Sequence, residues 1–232
     1  MKRFLPFLII AAVALLTVGL ATAVYRTKTG DQPTSPRLTN DQPAPVAGVG
    51  ETPSPSEAPE DPNFHARGPR KAPVTLVVYG DFQCPSCAAV SQGIDELQKQ
   101  YEGKMRVIFH EFPLEMHRHA MEAAMAAEAA GLQGKFWEMH DMLYKNQAVW
   151  GEATTVGFLL ESYAVAIGLD VERFKADRVA DNVRARVVAD AAEGAARGVK
   201  VTPTIFINGV ALQAGFTKEK LQETIEAALV PK

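Results

Sequence analysis

The chain has 232 residues, a formal net charge of −3 and 47 % hydrophobic residues. That is enough apolar content for a folded core, and too little basic excess for a nucleic-acid-binding surface. Only two cysteines are present, which excludes a disulfide-stapled scaffold and leaves no second pair for a four-cysteine metal site.

Lys2 and Arg3 precede an uncharged, mostly apolar stretch at residues 4–24, and Arg26 is the next charge. A run of this length can cross a bilayer, so residues 1–26 are expected to form a signal anchor. Ala21-Thr22-Ala23 also suits a small-residue cleavage site, so a removed signal peptide is the alternative. Either way the chain leaves the cytosol for a compartment where disulfides persist. Residues 27–62 hold eight of the fifteen prolines, among Thr, Ser, Asp and Gln. Such a stretch cannot bury enough surface to fold and is expected to be a linker. A tether has more use in an anchored protein than in a secreted one, which favours the anchor. Residues 63–232 then make one domain of ordinary size.

Val74 to Tyr79 form a nearly continuous β-branched, aliphatic and aromatic run, which predicts a buried parallel strand. Gly80 and Asp81 break it. Cys84-Pro85-Ser86-Cys87 follows, and Val90, Ile94 and Leu97 then mark one stripe of a helix. Two cysteines fall three apart by chance about one time in a hundred, so the spacing itself signals function. Cys84 sits where strand passes to helix, with Pro85 at the first helical position. The unpaired N–H groups there favour a thiolate, so Cys84 is expected to have a lowered pKa, with Cys87 the deeper partner. A structural disulfide between residues three apart would close a tiny loop and stabilise little. A zinc site needs four ligands, and His110, His117 and His119 match no ligand spacing, so no metal is expected.

Met105, Val107, Ile108 and Phe109 predict a second strand, which makes a right-handed parallel unit with the first. Residues 115–197 carry no strand pattern and are expected to be a helical insertion. Its helices are an alanine-rich one at 120–130, one marked by Phe136, Met139, His140 and Leu143, one by Leu159, Tyr163 and Ile167, one at 171–179 capped by Asp170, and one by Val183, Val187 and Ala191. Strands at 204–207 and 210–213 flank Asn208-Gly209, a strong hairpin turn. Thr217 caps a last helix with Leu221, Ile225 and Leu229 on one face. The predicted class is α/β, in the order β-α-β, helical insert, β-β-α.

That order resembles the DsbA-like branch of the thioredoxin superfamily, the envelope thiol–disulfide oxidoreductases. The resemblance spans nearly all of 72–230. It rests on Gly80-Asp81-Phe82-Gln83-Cys84-Pro85-Ser86-Cys87, on Lys135-Phe136-Trp137-Glu138-Met139-His140, and on Gly198-Val199-Lys200-Val201-Thr202-Pro203-Thr204. It implies a thioredoxin fold, Cys84 as the attacking cysteine, Cys87 as the resolving one, and Pro203 as a cis-proline facing them. It also implies that the backbone at Thr202 pairs with a substrate peptide as an added strand. Relatives commonly carry a buried acid six residues before the first cysteine; here Val78 stands there, and Asp81 and Glu111 are the candidate proton-transfer acids. The plainer reading of both is a solvated acid.

The function implied is exchange of disulfides with reduced or unfolded exported proteins, in the donor direction, on the extracytoplasmic side of a bacterial cell envelope. No cofactor is expected beyond the Cys84–Cys87 disulfide. A membrane partner, a quinone-linked oxidase or an electron donor, would reset it. The alternatives are a tethered reductase or isomerase and a peptide-binding holdase without redox activity. No dimerisation domain is visible, so a monomer is expected.

Overall fold

In the computed structural model, residues 65–213 and 215–230 are described; the expected anchor at 1–26 and the whole expected linker at 27–62, with residues 63 and 64, lie outside the described residues. Among the described residues no helix is long and apolar enough to cross a membrane. The first element is a three-residue strand, β1 (His65–Arg67), which the sequence reading did not foresee. No apolar alternation marks it. It is held by its neighbours: the His65 ring stacks on Phe136 at 3.5 Å between centroids, and His65 Nε2 lies 2.9 Å from Glu128 Oε1.

The aliphatic run becomes β2 (Val74–Gly80), and α1 (Pro85–Gln100) follows with Cys84 as its extended N-cap and Pro85 in its first turn. β3 (Met105–Glu111) pairs with β2 in parallel, from Val74 opposite Met105 to Gly80 opposite Glu111. Six helices come next: α2 (Ala120–Gly131), α3 (Phe136–Lys145), α4 (Gln147–Trp150), α5 (Gly157–Ala166), α6 (Val171–Asp177) and α7 (Asp181–Ala196). Their small side chains let α2 be buried continuously from Ala123 to Ala130. The Asp170 carboxylate accepts from Arg173 N–H at 3.0 Å, which starts α6. The short α4 was not separated in the sequence, because its one fixed point is tertiary: the wholly buried Trp150, whose Nε1–H donates to Leu143 O at 2.7 Å.

β4 (Thr204–Ile207) and β5 (Val210–Ala211) turn through Asn208 and Gly209, both at positive φ (47° and 81°), as this type of two-residue hairpin requires. The expected strand at 210–213 is therefore shorter, although Leu212 N–H still donates to Ile205 O at 2.8 Å. β5 is an edge strand with no further strand to extend it. The chain finishes in α8 (Lys218–Leu229), where the Thr217 hydroxyl accepts from Lys220 N–H.

The sheet order is β1-β3-β2-β4-β5, and only β2 and β3 run parallel. Alternation puts Leu76, Val78, Gly80, Val107, Phe109, Glu111, Ile205 and Ile207 on one face. The apolar residues of that face share a core with Ile94 and Leu97 of α1, Met139 and Leu143 of α3, and Leu221 and Ile225 of α8. On the other face α7 approaches so closely that a Cβ on Gly194 would meet the Tyr79 ring at 2.8 Å. One register matters most for the site. β4 runs antiparallel to β2 with Thr204 opposite Tyr79, so Pro203 and Thr202 extend past the end of β2 towards the turn that carries Cys84.

Candidate active site

The turn between β2 and α1 is built by Asp81. Its backbone carbonyl accepts from Cys84 N–H at 3.1 Å. Its carboxylate accepts from Gln83 N–H at 2.7 Å and Leu114 N–H at 2.8 Å, and lies 2.7 Å from His117 Nδ1. Asp81 is thus 1 % exposed and fully engaged. The solvated-acid reading is corrected: this carboxylate ties the cysteine turn to the segment after β3. The helical insert grips the same turn. Gln147 Nε2 donates to the carbonyls of Phe82 and Cys84 at 2.7 and 2.9 Å. Gln83 spans the other way, donating to Gly151 O and accepting from His119 N–H.

Both sulfurs are unlinked and buried. Cys84 Sγ lies 3.0 Å from Ser86 Oγ and 3.4 Å from the Thr202 carbonyl oxygen, and the Thr202–Pro203 bond is cis. The Cys84 thiol is pulled down to about 4. The largest cause is a hydrogen bond from the Cys87 thiol, and bonds from Ser86 and Thr202 add to it against the opposing effect of burial. Cys87 is pushed strongly upward, first because it is the donor in that bond and second by burial. One sulfur is therefore an anion at neutral pH and the other its protonated partner. The Thr202 side chain, its hydroxyl buried, lowers both sulfurs.

The sign of the pH dependence follows. Native Cys84 loses its proton near 4, whereas in the unfolded chain it keeps it to about 8.5. Between these limits the unfolded chain binds one more proton than the native one. The reduced protein should then gain about 1.4 kcal/mol of stability per pH unit, full near about 8.5 and lost as pH falls through 4. Above about 8.5 the raised Cys87 reverses the sign, since its native thiol keeps a proton that the unfolded one gives up. The disulfide form has no such thiol. Denaturant unfolding of both forms from pH 4.5 to 8 should show their difference changing at this slope, and iodoacetamide labelling of Cys84 should titrate near 4.

Glu111 also departs from the solvated-acid reading. It is 1 % exposed, and both its carboxyl oxygens are buried without a hydrogen-bond partner among the described residues. Burial first, then the charges of Glu128, Asp190 and Asp81, hold its pKa well above the usual carboxylate range. His140 is buried too, kept neutral by that burial, with Nδ1 2.8 Å from Asp141 Oδ1. A small cavity lies behind Cys87, lined by Val78, Gly80, Phe109, His140, Tyr144 and Pro203 among others, with about 20 Å³ open to the centre of a water molecule. Among the described residues one group has histidine and acid atoms close enough to share an ion: His110, Asp190 and Glu193. It sits on the opposite sheet face, and Asp190 and Glu193 already face His110 (3.3 Å) and Arg197 (2.7 Å) respectively.

The structure thus brings Cys84, Pro85, Ser86, Cys87, Thr202 and Pro203 together at one end of the sheet. Gln83, Gln147, His117 and Tyr144 were not singled out as site residues, because their partners lie 36 to 68 residues away. A thiolate hydrogen-bonded by a second thiol, at the head of a helix and against a cis-proline loop, is an arrangement suited to thiol–disulfide exchange.

The comparisons agree. The family Thioredoxin_4, described as Thioredoxin, matches residues 60–227, and the chain belongs to it. Among solved structures it is similar to BdbD from Bacillus subtilis (oxidised), with a TM-score of 0.65 and 25 % identity over 72 % of this chain and 93 % of that one. It is also similar to a thioredoxin-like oxidoreductase from Silicibacter pomeroyi, with a TM-score of 0.61, 25 % identity and the same coverage. A curated relative, the Na(+)/H(+) antiporter NhaA 1 of Salinispora arenicola, is 40 % identical over 173 residues, which are 73 % of this chain and 26 % of that protein. The chain spans about a quarter of the length of the curated relatives it matches.

Proposed function

We propose that this protein donates disulfides to reduced or unfolded exported proteins, through Cys84 as the attacked sulfur and Cys87 as the resolving one. The observation that carries the reading is the Cys84 thiol drawn down to about 4. A thiolate stabilised in the reduced form makes that form favourable, so the disulfide form gives up its bond readily. In the donor direction a substrate thiolate attacks Cys84 Sγ; the Cys84–Cys87 bond breaks and a mixed disulfide forms. A second substrate thiolate attacks the substrate's own sulfur in that bond. Cys84 leaves as a thiolate, the substrate holds the new disulfide, and the protein is left with two thiols. Ser86 holds the leaving thiolate by a neutral hydrogen bond. The cis-proline loop would take the substrate: Thr202 and Pro203 stand half-buried beside Cys84, and an extended peptide pairing with the Thr202 backbone would bring its cysteine to Sγ.

The site of action belongs to the same proposal. The charged start and the apolar run at 4–24 support an anchor in the cytoplasmic membrane with the domain in the envelope, residues 27–62 serving as the tether. Relatives named as Na(+)/H(+) antiporters are membrane proteins that carry a matching stretch, which supports a membrane setting for this kind of domain. A quinone-linked membrane oxidase is the partner that would restore the disulfide. The test is recovery of activity by a reduced, unfolded disulfide protein supplied with the oxidised domain as sole oxidant. Stoichiometric transfer supports donation. A protein that instead reduces insulin disulfides and transfers none would make it a reductase, and suppression of aggregation retained by Cys84→Ser would make it a holdase.

A further inference from the structure

A second constellation of ionisable side chains lies on the sheet face away from the cysteines. Tyr79 and His110 stand opposite one another in the parallel register of β2 and β3, and their rings stack at 4.9 Å between centroids. Alternation turns both towards α7, where Gly194 lets the helix come against the Tyr79 ring. Asp190 and Glu193 are three residues apart on α7 and so share one side of that helix. His110 Nδ1 is 3.3 Å from Asp190 Oδ1, and ligand atoms of His110, Asp190 and Glu193 all lie within 4.8 Å of one another. The cluster joins a strand to a helix far along the chain, so no local spacing marks it.

Two independent features point to a ligand there. Tyr79 is wholly buried, and its hydroxyl has no hydrogen-bond partner among the described residues. A buried hydroxyl left unpaired is costly, and the charges of Glu193, Arg197 and Asp190 all reach this one, which aims it into the cluster. Asp190 is also held in place: its Oδ2 accepts from Glu111 N–H at 3.0 Å, which leaves Oδ1 turned to His110. Outer hydrogen bonds of this kind orient metal-binding carboxylates. The cation now facing Glu193 is Arg197, at 2.7 Å and itself exposed, and ion pairs this open hold weakly. The Asp190 and Glu193 side chains are 24 % and 35 % exposed, which gives an ion its way in from solvent.

We propose that His110, Asp190 and Glu193 form a binding site for a divalent transition-metal ion of the zinc type, with the Tyr79 hydroxyl as a further polar contact to the ion or to a water on it. The donor set fixes the class. An imidazole nitrogen with two carboxylates suits zinc and its first-row neighbours, whereas calcium and magnesium take oxygen donors. Zinc bonds of about 2.0–2.2 Å put tetrahedral ligand atoms roughly 3.3–3.6 Å apart. The gap between His110 and Asp190 already matches, and the partly exposed Glu193 closes the remainder as it exchanges Arg197 for the ion. The bound ion clips α7 to β2 and β3 near the ends that lead into the cysteine turn and the segment after β3. It takes no part in thiol exchange, and the proposal stands apart from the direction in which that exchange runs.

The test uses the untagged full chain, cleared of metal with a chelator and oxidised so that Cys84 and Cys87 form a disulfide and offer no thiolate to an ion. Titration with zinc chloride at neutral pH should show one equivalent bound by calorimetry and a rise in the thermal midpoint. Cobalt chloride should give the visible absorption of a nitrogen–oxygen site. His110→Phe, which keeps a ring against Tyr79, and Asp190→Asn should abolish all three signals. Glu193→Gln should weaken zinc binding at least tenfold, and Tyr79→Phe by about ten- to a hundredfold, the range for a lost outer partner. Calcium and magnesium at the same concentrations should leave the midpoint where it is. Absence of zinc binding, binding that survives both His110→Phe and Asp190→Asn, or a preference for calcium would each overturn the site. His110 is buried, so should His110→Phe fail to fold, Asp190→Asn and Glu193→Gln, on partly exposed side chains, decide the question by the same readings.

Discussion

Cys87→Ser should lose turnover to the uncatalysed background while accumulating covalent adducts with substrate proteins. The variant keeps Cys84, and with it the thiolate, but nothing remains to close back onto it. Purified from cells, it should run as a ladder of mixed disulfides on non-reducing gels that collapses to one band with dithiothreitol. Cys84→Ser should show neither turnover nor adducts, because Cys87 is the buried, protonated thiol of the pair. Removing Cys87 also removes the largest support of the Cys84 thiolate, so the Cys84 titration in Cys87→Ser should move up from about 4 towards the ordinary cysteine range. A midpoint that stays near 4 would mean that the helix terminus and Ser86 suffice, and that the coupling of the two sulfurs is minor.

Trp150→Ala should be the most costly single change in the core, at about 3–5 kcal/mol. The indole is wholly buried and its Nε1–H is bonded to Leu143 O, so truncation opens a large cavity and strands a carbonyl. The position also matters for function. Trp150 fixes the corner where α3 passes to α4, and Gln147 at the start of α4 holds the carbonyls of Phe82 and Cys84. Urea unfolding of the reduced protein should show the loss in midpoint with little change in slope, and Cys84 should become faster to label at pH 5. Loss of stability without any change in labelling would mean that the insert supports the core but does not shape the cysteine turn.

The parts of this molecule visible in the sequence are those set by local physics. The β2 run, the stripe of α1, the Asp170 and Thr217 caps and the Asn208-Gly209 turn each depend on residues within a few positions of one another. The Cys84-Pro85-Ser86-Cys87 spacing is of the same kind. β1 and α4 leave no local pattern because each is short and held by tertiary contacts, Phe136 and Glu128 around His65 in the first case and the buried Trp150 in the second. The acids show the limit most clearly. Asp81 and Glu111 look alike on paper, both beside a glycine or an aromatic at a strand end. Folding buries both, gives Asp81 three partners and, among the described residues, gives the Glu111 carboxyl none. The support of Cys84 was likewise read as a helix terminus, whereas its largest source is the second sulfur.

The reduction potential of the Cys84–Cys87 couple, measured by equilibration with glutathione buffers, tests the central claim most directly. About 30 mV is a tenfold change in the equilibrium constant of this two-electron pair, so the assay resolves direction well. A thiolate stabilised to about 4 should place the couple well above the glutathione pool, towards the roughly −120 mV of strongly oxidising dithiols. A value near the roughly −270 mV of thioredoxin would contradict disulfide donation and make this domain a reductase.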